Sequence, residues 1–117
     1  MIKKEKDVVK INNGKSISFS EYGKENGTPI LLCHGVNGTR VQAMRFADIA
    51  NELDLRIITP DRPGYGESTP VKNRDYLEWA DEINEFLNIL GVEKAGILGI
   101  SAGANYALAC VYKYPTR

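Results

Sequence analysis

The apolar positions of this 117-residue chain change their period from segment to segment, and each change predicts a different element. Val8, Val9 and Ile11 lead into Asn12-Asn13-Gly14-Lys15, after which Ile17 and Phe19 alternate with Ser16, Ser18 and Ser20. Asn-Gly between two such runs predicts a hairpin, because both residues tolerate the positive φ angles of a tight turn. The alternation predicts one wet face on the second strand. Beyond a polar break at 24–28, Pro29-Ile30-Leu31-Leu32-Cys33 is a continuous apolar run, the pattern of a strand buried on both faces in a parallel sheet. A loop from His34 to Gly38 follows. Thr39 and Gln42 then fit a capping box, and Val41, Met44, Ala47, Ala50 and Leu53 recur every third residue in a predicted helix. Leu55–Thr59 reads as the next strand and Pro60–Thr69 as a loop rich in Pro and Gly.

Asp75 and Glu78 open a second helix. Its Tyr76, Trp79, Ala80, Ile83, Phe86, Leu87 and Leu90 share one side, Asp81, Glu82 and Glu85 form a solvated face, and Gly91 closes it. Ala95–Ile100 is the last predicted strand, Ser101 sits at a turn, and Ala102–Tyr114 is a helix ended by Pro115. Two strands followed by strand–helix, three times over, predict an α/β fold. Its sheet is mostly parallel, with an antiparallel N-terminal hairpin and flanking helices. No repeat, low-complexity tract or linker divides the chain. Function in such sheets gathers at the C-terminal ends of the parallel strands, which here are His34–Gly38, Pro60–Ser68 and Gly99–Gly103.

Charge and composition remove several function classes. Fifteen Lys and Arg against fifteen Asp and Glu give zero formal net charge, which argues against nucleic acid or an anionic membrane as the main partner. One His and two Cys exclude a His-cluster metal site and a zinc ribbon, so no metal and no organic cofactor is implied. Cys33 and Cys110 each lie in an apolar stretch and read as buried thiols of a reducing compartment. The positive start MIKKEKDVVKI has no apolar run behind it to make a signal peptide, and no apolar stretch approaches a membrane span. The expectation is a cytoplasmic protein.

The chemistry concentrates in Gly99-Ile100-Ser101-Ala102-Gly103, a G-x-S-x-G between a predicted strand and a predicted helix. A serine on so sharp a turn needs tiny residues two before and two after it, so that strand and helix can approach. The helix N-terminus, with its N–H groups and dipole, then favours negative charge developing beside the hydroxyl. Nucleotide binding is the rival use of a glycine-rich turn. Gly96, Gly99 and Gly103 lack the G-x-G-x-x-G spacing, however, and Gly35–Thr39 lacks a P-loop lysine.

Together with His34-Gly35-Val36-Asn37-Gly38 and Asp61-Arg62-Pro63-Gly64-Tyr65-Gly66-Glu67-Ser68, this turn resembles the α/β-hydrolase superfamily, whose HGxxG loop, D-R-P-G-Y-G-E-S loop and nucleophile elbow occur here in that order. Tyr106-Ala107-Leu108-Ala109-Cys110 and Tyr114-Pro115 also look like the helix after the elbow, while Ala104 and Asn105 stand where Gly or Pro is frequent. The resemblance covers roughly residues 8–117. It implies a serine hydrolase acting on an ester, thioester, lactone or small amide, with Ser101 as nucleophile and the backbone N–H groups of Val36 and Ala102 as oxyanion hole. His34, Gly35, Gly38, Gly99 and Gly103 take structural and pocket-wall roles. The family's His at position 34 opens the oxyanion loop and is not the general base. Asp61 and Arg62 could serve as an acid or anion clamp, but a loop pinned by polar contacts is the plainer reading, and Ser68 is a loop hydroxyl.

The family's triad runs Ser, then Asp or Glu, then His along the chain. Sixteen residues follow Ser101, and none is Asp, Glu or His. The resemblance therefore implies that residues 1–117 are a partial domain, truncated after the elbow helix and catalytically incompetent alone. The alternatives are a non-catalytic pseudoenzyme or small-molecule-binding fragment of the same fold, and an improvised use of His34 as base. With the elbow strand left at a sheet edge, self-association is expected, while the oligomeric state itself stays open.

Overall fold

A computed structural model describes residues 2–11, 15–34, 46–61, 68, 76–100 and 103–115 of the chain. Its first strand, β1 (Ile2–Lys10), begins well before the apolar residues that announce it, and runs antiparallel to β2 (Ser16–Gly23). Lys10 pairs with Ser16, and the Ile11 N–H donates to the Lys15 carbonyl at 2.9 Å, so the predicted hairpin forms. The residues expected to make its turn, 12–14, lie outside the described residues.

The parallel part consists of β3 (Thr28–Cys33), β4 (Leu55–Pro60) and β5 (Gly96–Gly99). The sheet order is β1-β2-β4-β3-β5, with β2 antiparallel to β4 and with β4, β3 and β5 parallel. Three helices connect or follow these strands: α1 (Ala47–Glu52), α2 (Tyr76–Ile89) and α3 (Gly103–Lys113). The predicted start of the first helix, from Thr39, lies outside the described residues.

Side chains alternate across a strand, and here both faces are covered. Leu31, Cys33, Ile58 and Phe19 join Trp79, Ile83 and Phe86 of α2 on one face, while Leu32, Ile57 and Tyr22 join Ala47 and Ala50 of α1 on the other. Edge-to-face ring pairs, Phe19–Phe86 at 5.1 Å and Trp79–Tyr106 at 5.0 Å between centroids, seat α2 on β2 and α3 on α2. The end of α2 follows from Gly91, whose φ of +74° suits a residue without a Cβ. Gly91 N–H donates to Asn88 at 3.1 Å and Val92 N–H to Leu87 at 2.9 Å, which satisfies the last carbonyls in a Schellman arrangement.

Three expectations change. The second strand has no wet face: Ser18 and Ser20 are fully buried and Glu21 nearly so. The reason is long-range, because β2 is an interior strand flanked by β1 and β4 and covered on both faces. Glu21 is answered by Arg56 on β4, whose Nε donates to Oε1 at 2.7 Å and whose Nη2 lies 2.6 Å from it. Pro60 belongs to β4 and not to the loop, opposite Phe19, at a strand end where its missing N–H costs no interior ladder bond. Leu53, last of the every-third series, is exposed, because α1 stops at Glu52 and Leu53 caps it.

Candidate active site

The three parallel strands end side by side, β3 giving way to His34, β4 to Asp61 and β5 to Ile100. Register places Cys33 opposite Gly99, and the Ile100 N–H donates to the Cys33 carbonyl at 3.0 Å. Gly103 N–H in turn donates to the Ile100 carbonyl at 2.8 Å, tying the first residue of α3 to the end of the strand. A Cβ on Gly103 would stand 2.2 Å from the Cys33 carbonyl oxygen and 2.6 Å from that of His34. One on Gly99 would stand 2.6 Å from Cα of Ala104. These are backbone atoms of a strand and a helix, so no side-chain rotation relieves either collision. Glycine is thus demanded on both sides of the serine by the closeness of β3, β5 and α3.

The structure therefore brings Gly99, Gly103 and His34 together. His34 is completely buried, and its carbonyl lies against the start of α3. Ser101, Ala102, Val36, Gly35 and Gly38 lie outside the described residues, as does Arg62.

At the end of β4 a buried polar group forms that the sequence pattern did not reveal. Ser18 Oγ donates to Asp61 Oδ2 at 2.7 Å, and Ser18 N–H donates to Ser68 Oγ at 3.0 Å. Ser68 Oγ donates to the Asp61 carbonyl at 2.7 Å, and Asp61 N–H to the Ser18 carbonyl at 2.8 Å. Each hydroxyl has one proton, and both are committed, so the 3.4 Å contact between the two serine oxygens holds no hydrogen bond of its own. A buried carboxylate is tolerated only with such partners. Asp61 is accordingly a pin, joining the end of β4 and Ser68 to β2, which agrees with the plainer of its two readings. Ser18 is the residue that sequence reasoning missed. Its only local sign was serine alternation, which reads equally well as a wet face.

Away from the strand ends, Cys33 and Cys110 are free thiols, and burial pushes Cys110 up to about 11, leaving it protonated and unreactive at neutral pH. A cavity of about 520 Å³ lies at the opposite end of β5, lined by Lys94, Gly96, Ile97, Cys110, Val111 and Tyr114 among others. It is mostly apolar, and none of Cys33, His34, Gly99 and Gly103 lines it. Among the described residues no group of three or more His, Cys, Asp or Glu is placed to hold a metal ion, and no helix is long and apolar enough to cross a membrane.

Comparison with known proteins agrees with this geometry. A family model described as the alpha/beta hydrolase fold matches residues 28–117. The chain is 32% identical over 107 residues to Lipase 1 of Psychrobacter immobilis, covering 88% of this chain and 33% of that one. It is 30% identical over 95 residues to 3-oxoadipate enol-lactonase 1 of Acinetobacter baylyi, covering 81% and 35%. Among solved structures, a bacterial membrane phospholipase A superposes with a TM-score of 0.83 at 26% identity, covering 95% of this chain and 36% of that one. The chain thus spans about a third of the length of the curated relatives it matches.

Proposed function

Because the chain belongs to the α/β-hydrolase fold family, we propose that Ser101 is the nucleophile of a serine hydrolase acting on an ester, thioester, lactone or small amide. In this reading Ser101 Oγ attacks the acyl carbonyl carbon and its proton passes to a general base. The backbone N–H groups of Ala102 and Val36 donate hydrogen bonds to the oxyanion of the tetrahedral intermediate. Collapse expels the alcohol, thiol or amine, protonated by the same base, and leaves an acyl-Ser101 that water then hydrolyses. Losing one oxyanion donor typically costs about 100- to 1,000-fold in rate.

The observation that supports this reading most is the pair of backbone collisions that forbid any side chain at Gly99 and Gly103. A strand–Gly-x-Ser-x-Gly–helix junction so tight is the mechanical form of a nucleophile elbow. The relatives named a lipase and an enol-lactonase favour the acyl substrate class. The 117 residues hold no Asp, Glu or His beyond Ser101, and their one His is buried at the start of the oxyanion segment. We therefore propose that they form the N-terminal part of the domain, holding nucleophile and oxyanion donors without the triad acid and base. The substrate is a small acyl compound met in the cytoplasm.

A fluorophosphonate probe with intact-mass readout tests this. The 117-residue chain is expected to stay unlabelled. A longer polypeptide that supplies a downstream acid and histidine is expected to take one label per chain, lost in Ser101→Ala. Absence of labelling in such a polypeptide would favour the second reading, a pseudoenzyme, which the missing acid and base also suit. Labelling of the short chain that disappears in His34→Ala, with the fold intact, would make His34 the base and overturn the proposed incompetence.

A further inference from the structure

We infer that Ser68 is a positioning residue for the hydrolytic site, a role that rests on the reading of Ser101 as nucleophile. Its hydroxyl completes the last rung of the ladder between β2 and β4. Register sets Phe19 opposite Pro60, so Ser18 and Asp61 are the next pair along. A hydrogen-bonded pair in an antiparallel ladder exchanges two N–H to carbonyl bonds. Ser18 and Asp61 make one of them directly, from the Asp61 N–H to the Ser18 carbonyl at 2.8 Å. The other is opened and relayed. Ser18 N–H donates to Ser68 Oγ at 3.0 Å, and that hydroxyl donates to the Asp61 carbonyl at 2.7 Å.

A water can bridge an opened rung in the same way. A side chain does so with its own backbone attached, so this rung holds the chain just after β4, at Asp61, and again at Ser68. The Ser18 hydroxyl adds a further tie, to Asp61 Oδ2 at 2.7 Å. The relay needs one atom that both accepts and donates, which a hydroxyl supplies and a methyl does not. Ser18, Asp61 and Ser68 are all buried, so loss of that atom leaves an N–H and a carbonyl short of partners away from solvent.

The end of β4 is in turn a neighbour of the proposed nucleophile's setting. β4 runs beside β3 with Ile58 opposite Leu31, and Thr59 Oγ1 donates to the Leu32 carbonyl at 3.1 Å. Just beyond, β3 gives way to His34, whose carbonyl oxygen would stand 2.6 Å from a Cβ on Gly103 at the start of α3. Ser101 lies in sequence between β5 and that helix. Close-packed elements pass a displacement on instead of absorbing it. A misplacement of about 1 Å at a reacting group can cost on the order of 100-fold in rate. A slack rung at Ser68 thus reaches the nucleophile through β4, β3 and the first turn of α3.

The rate of fluorophosphonate labelling tests this, measured on the longer polypeptide well below its melting temperature. Ser68→Ala should label about 10- to 100-fold more slowly than wild type. Ser68→Thr keeps the hydroxyl and should label about tenfold faster than Ser68→Val, which has the same shape without it. A merely structural serine would lower the melting temperature of the Ala and Val variants and leave the labelling rate of the folded protein unchanged. That result would overturn the proposal and spare the reading of Ser101. No labelling of the wild-type longer polypeptide would count against Ser101 itself, and the role of Ser68 would fall with it. Amide exchange on the 117-residue wild type needs no variant. The Ser18 N–H should exchange as slowly as interior ladder amides, and exchange at the rate of an exposed amide would also sink the proposal.

Discussion

The two edges of the sheet are built on opposite principles. In β1 six of nine residues are charged, in the run Lys3-Lys4-Glu5-Lys6-Asp7 and at Lys10, and its register with β2 shifts between Lys4 and Asp7. Charges and irregular register are the means by which natural sheets keep an edge from recruiting other chains. At the other end, Gly96-Ile97-Leu98-Gly99 has no charge, no proline and an exposed leucine. One edge is finished as a boundary, and the other is composed like an interior strand. Edge chemistry therefore separates these two strands even though, among the described residues, each pairs on one side only.

The interiors behind the two edges also differ. Behind β1, the link from β2 to β4 rests on polar pairing, Ser18 with Asp61 and Glu21 with Arg56. Behind β5, the link to α3 rests on the absence of side chains at Gly99 and Gly103. Gly103→Ala should be the harsher change, since its methyl meets the carbonyls of Cys33 and His34. A loss of about 4 kcal/mol or more is expected in urea denaturation, enough to leave a protein of ordinary stability largely unfolded. Ser18→Ala should cost less, about 2 kcal/mol, because it deprives a buried carboxylate of one hydroxyl donor while leaving the backbone bonds in place. If Ser18→Ala proved the more damaging, the contrast between a steric and a polar side would fail.

The smallest effect concerns α2 and α3. Lys113 donates to Asp81 Oδ2 at 2.6 Å and the Tyr114 hydroxyl to Oδ1 at 2.5 Å, and these two bonds, Lys113 first, hold Asp81 below the usual aspartate range. A depressed carboxylate pKa stabilises the fold above the unfolded value of about 4, and that contribution is lost as pH falls through the folded value. The pair is roughly half exposed, so solvent screening limits it to a few tenths of a kcal/mol. Asp81→Asn should therefore lower the urea midpoint slightly at pH 7, by a deficit that shrinks as the pH falls below the usual aspartate range and as salt is added. An equal deficit at all pH values would mean that Asp81 acts through packing alone.

Much of this fold was legible because short-range signals agreed with one another. The continuous run Pro29–Cys33 reads as a doubly buried strand, and it is one, with Leu31 and Cys33 on one face and Leu32 on the other. Gly91 after an amphipathic helix reads as its stop, and its positive φ and Schellman bonds supply the reason. The seven apolar positions of the second helix read as one side, and of these Trp79, Ala80, Ile83, Phe86 and Leu87 are buried. The readings that failed depended on what lies next to a strand. Ser18 and Ser20 look outward by pattern, and only the pairing of β2 with β4, some forty residues on, turns their surroundings into protein. The charged start of β1 gives no strand signal of its own, because its ladder comes from β2 and not from apolar alternation.

The candidate site divides in the same way. By itself the sequence determined the order of its landmarks and the glycines at 99 and 103, because a turn between strand and helix has a local steric requirement that residue types satisfy or violate on their own. It determined too that no Asp, Glu or His follows Ser101 in these residues. Only the tertiary structure decided that the carbonyls of Cys33 and His34 are what exclude a side chain from Gly103, and that Asp61 pins a sheet junction through Ser18. Those facts depend on which strands become neighbours. Neighbourhood is set by the burial of whole faces and by long-range ladders, and the residues concerned have no local feature that announces it.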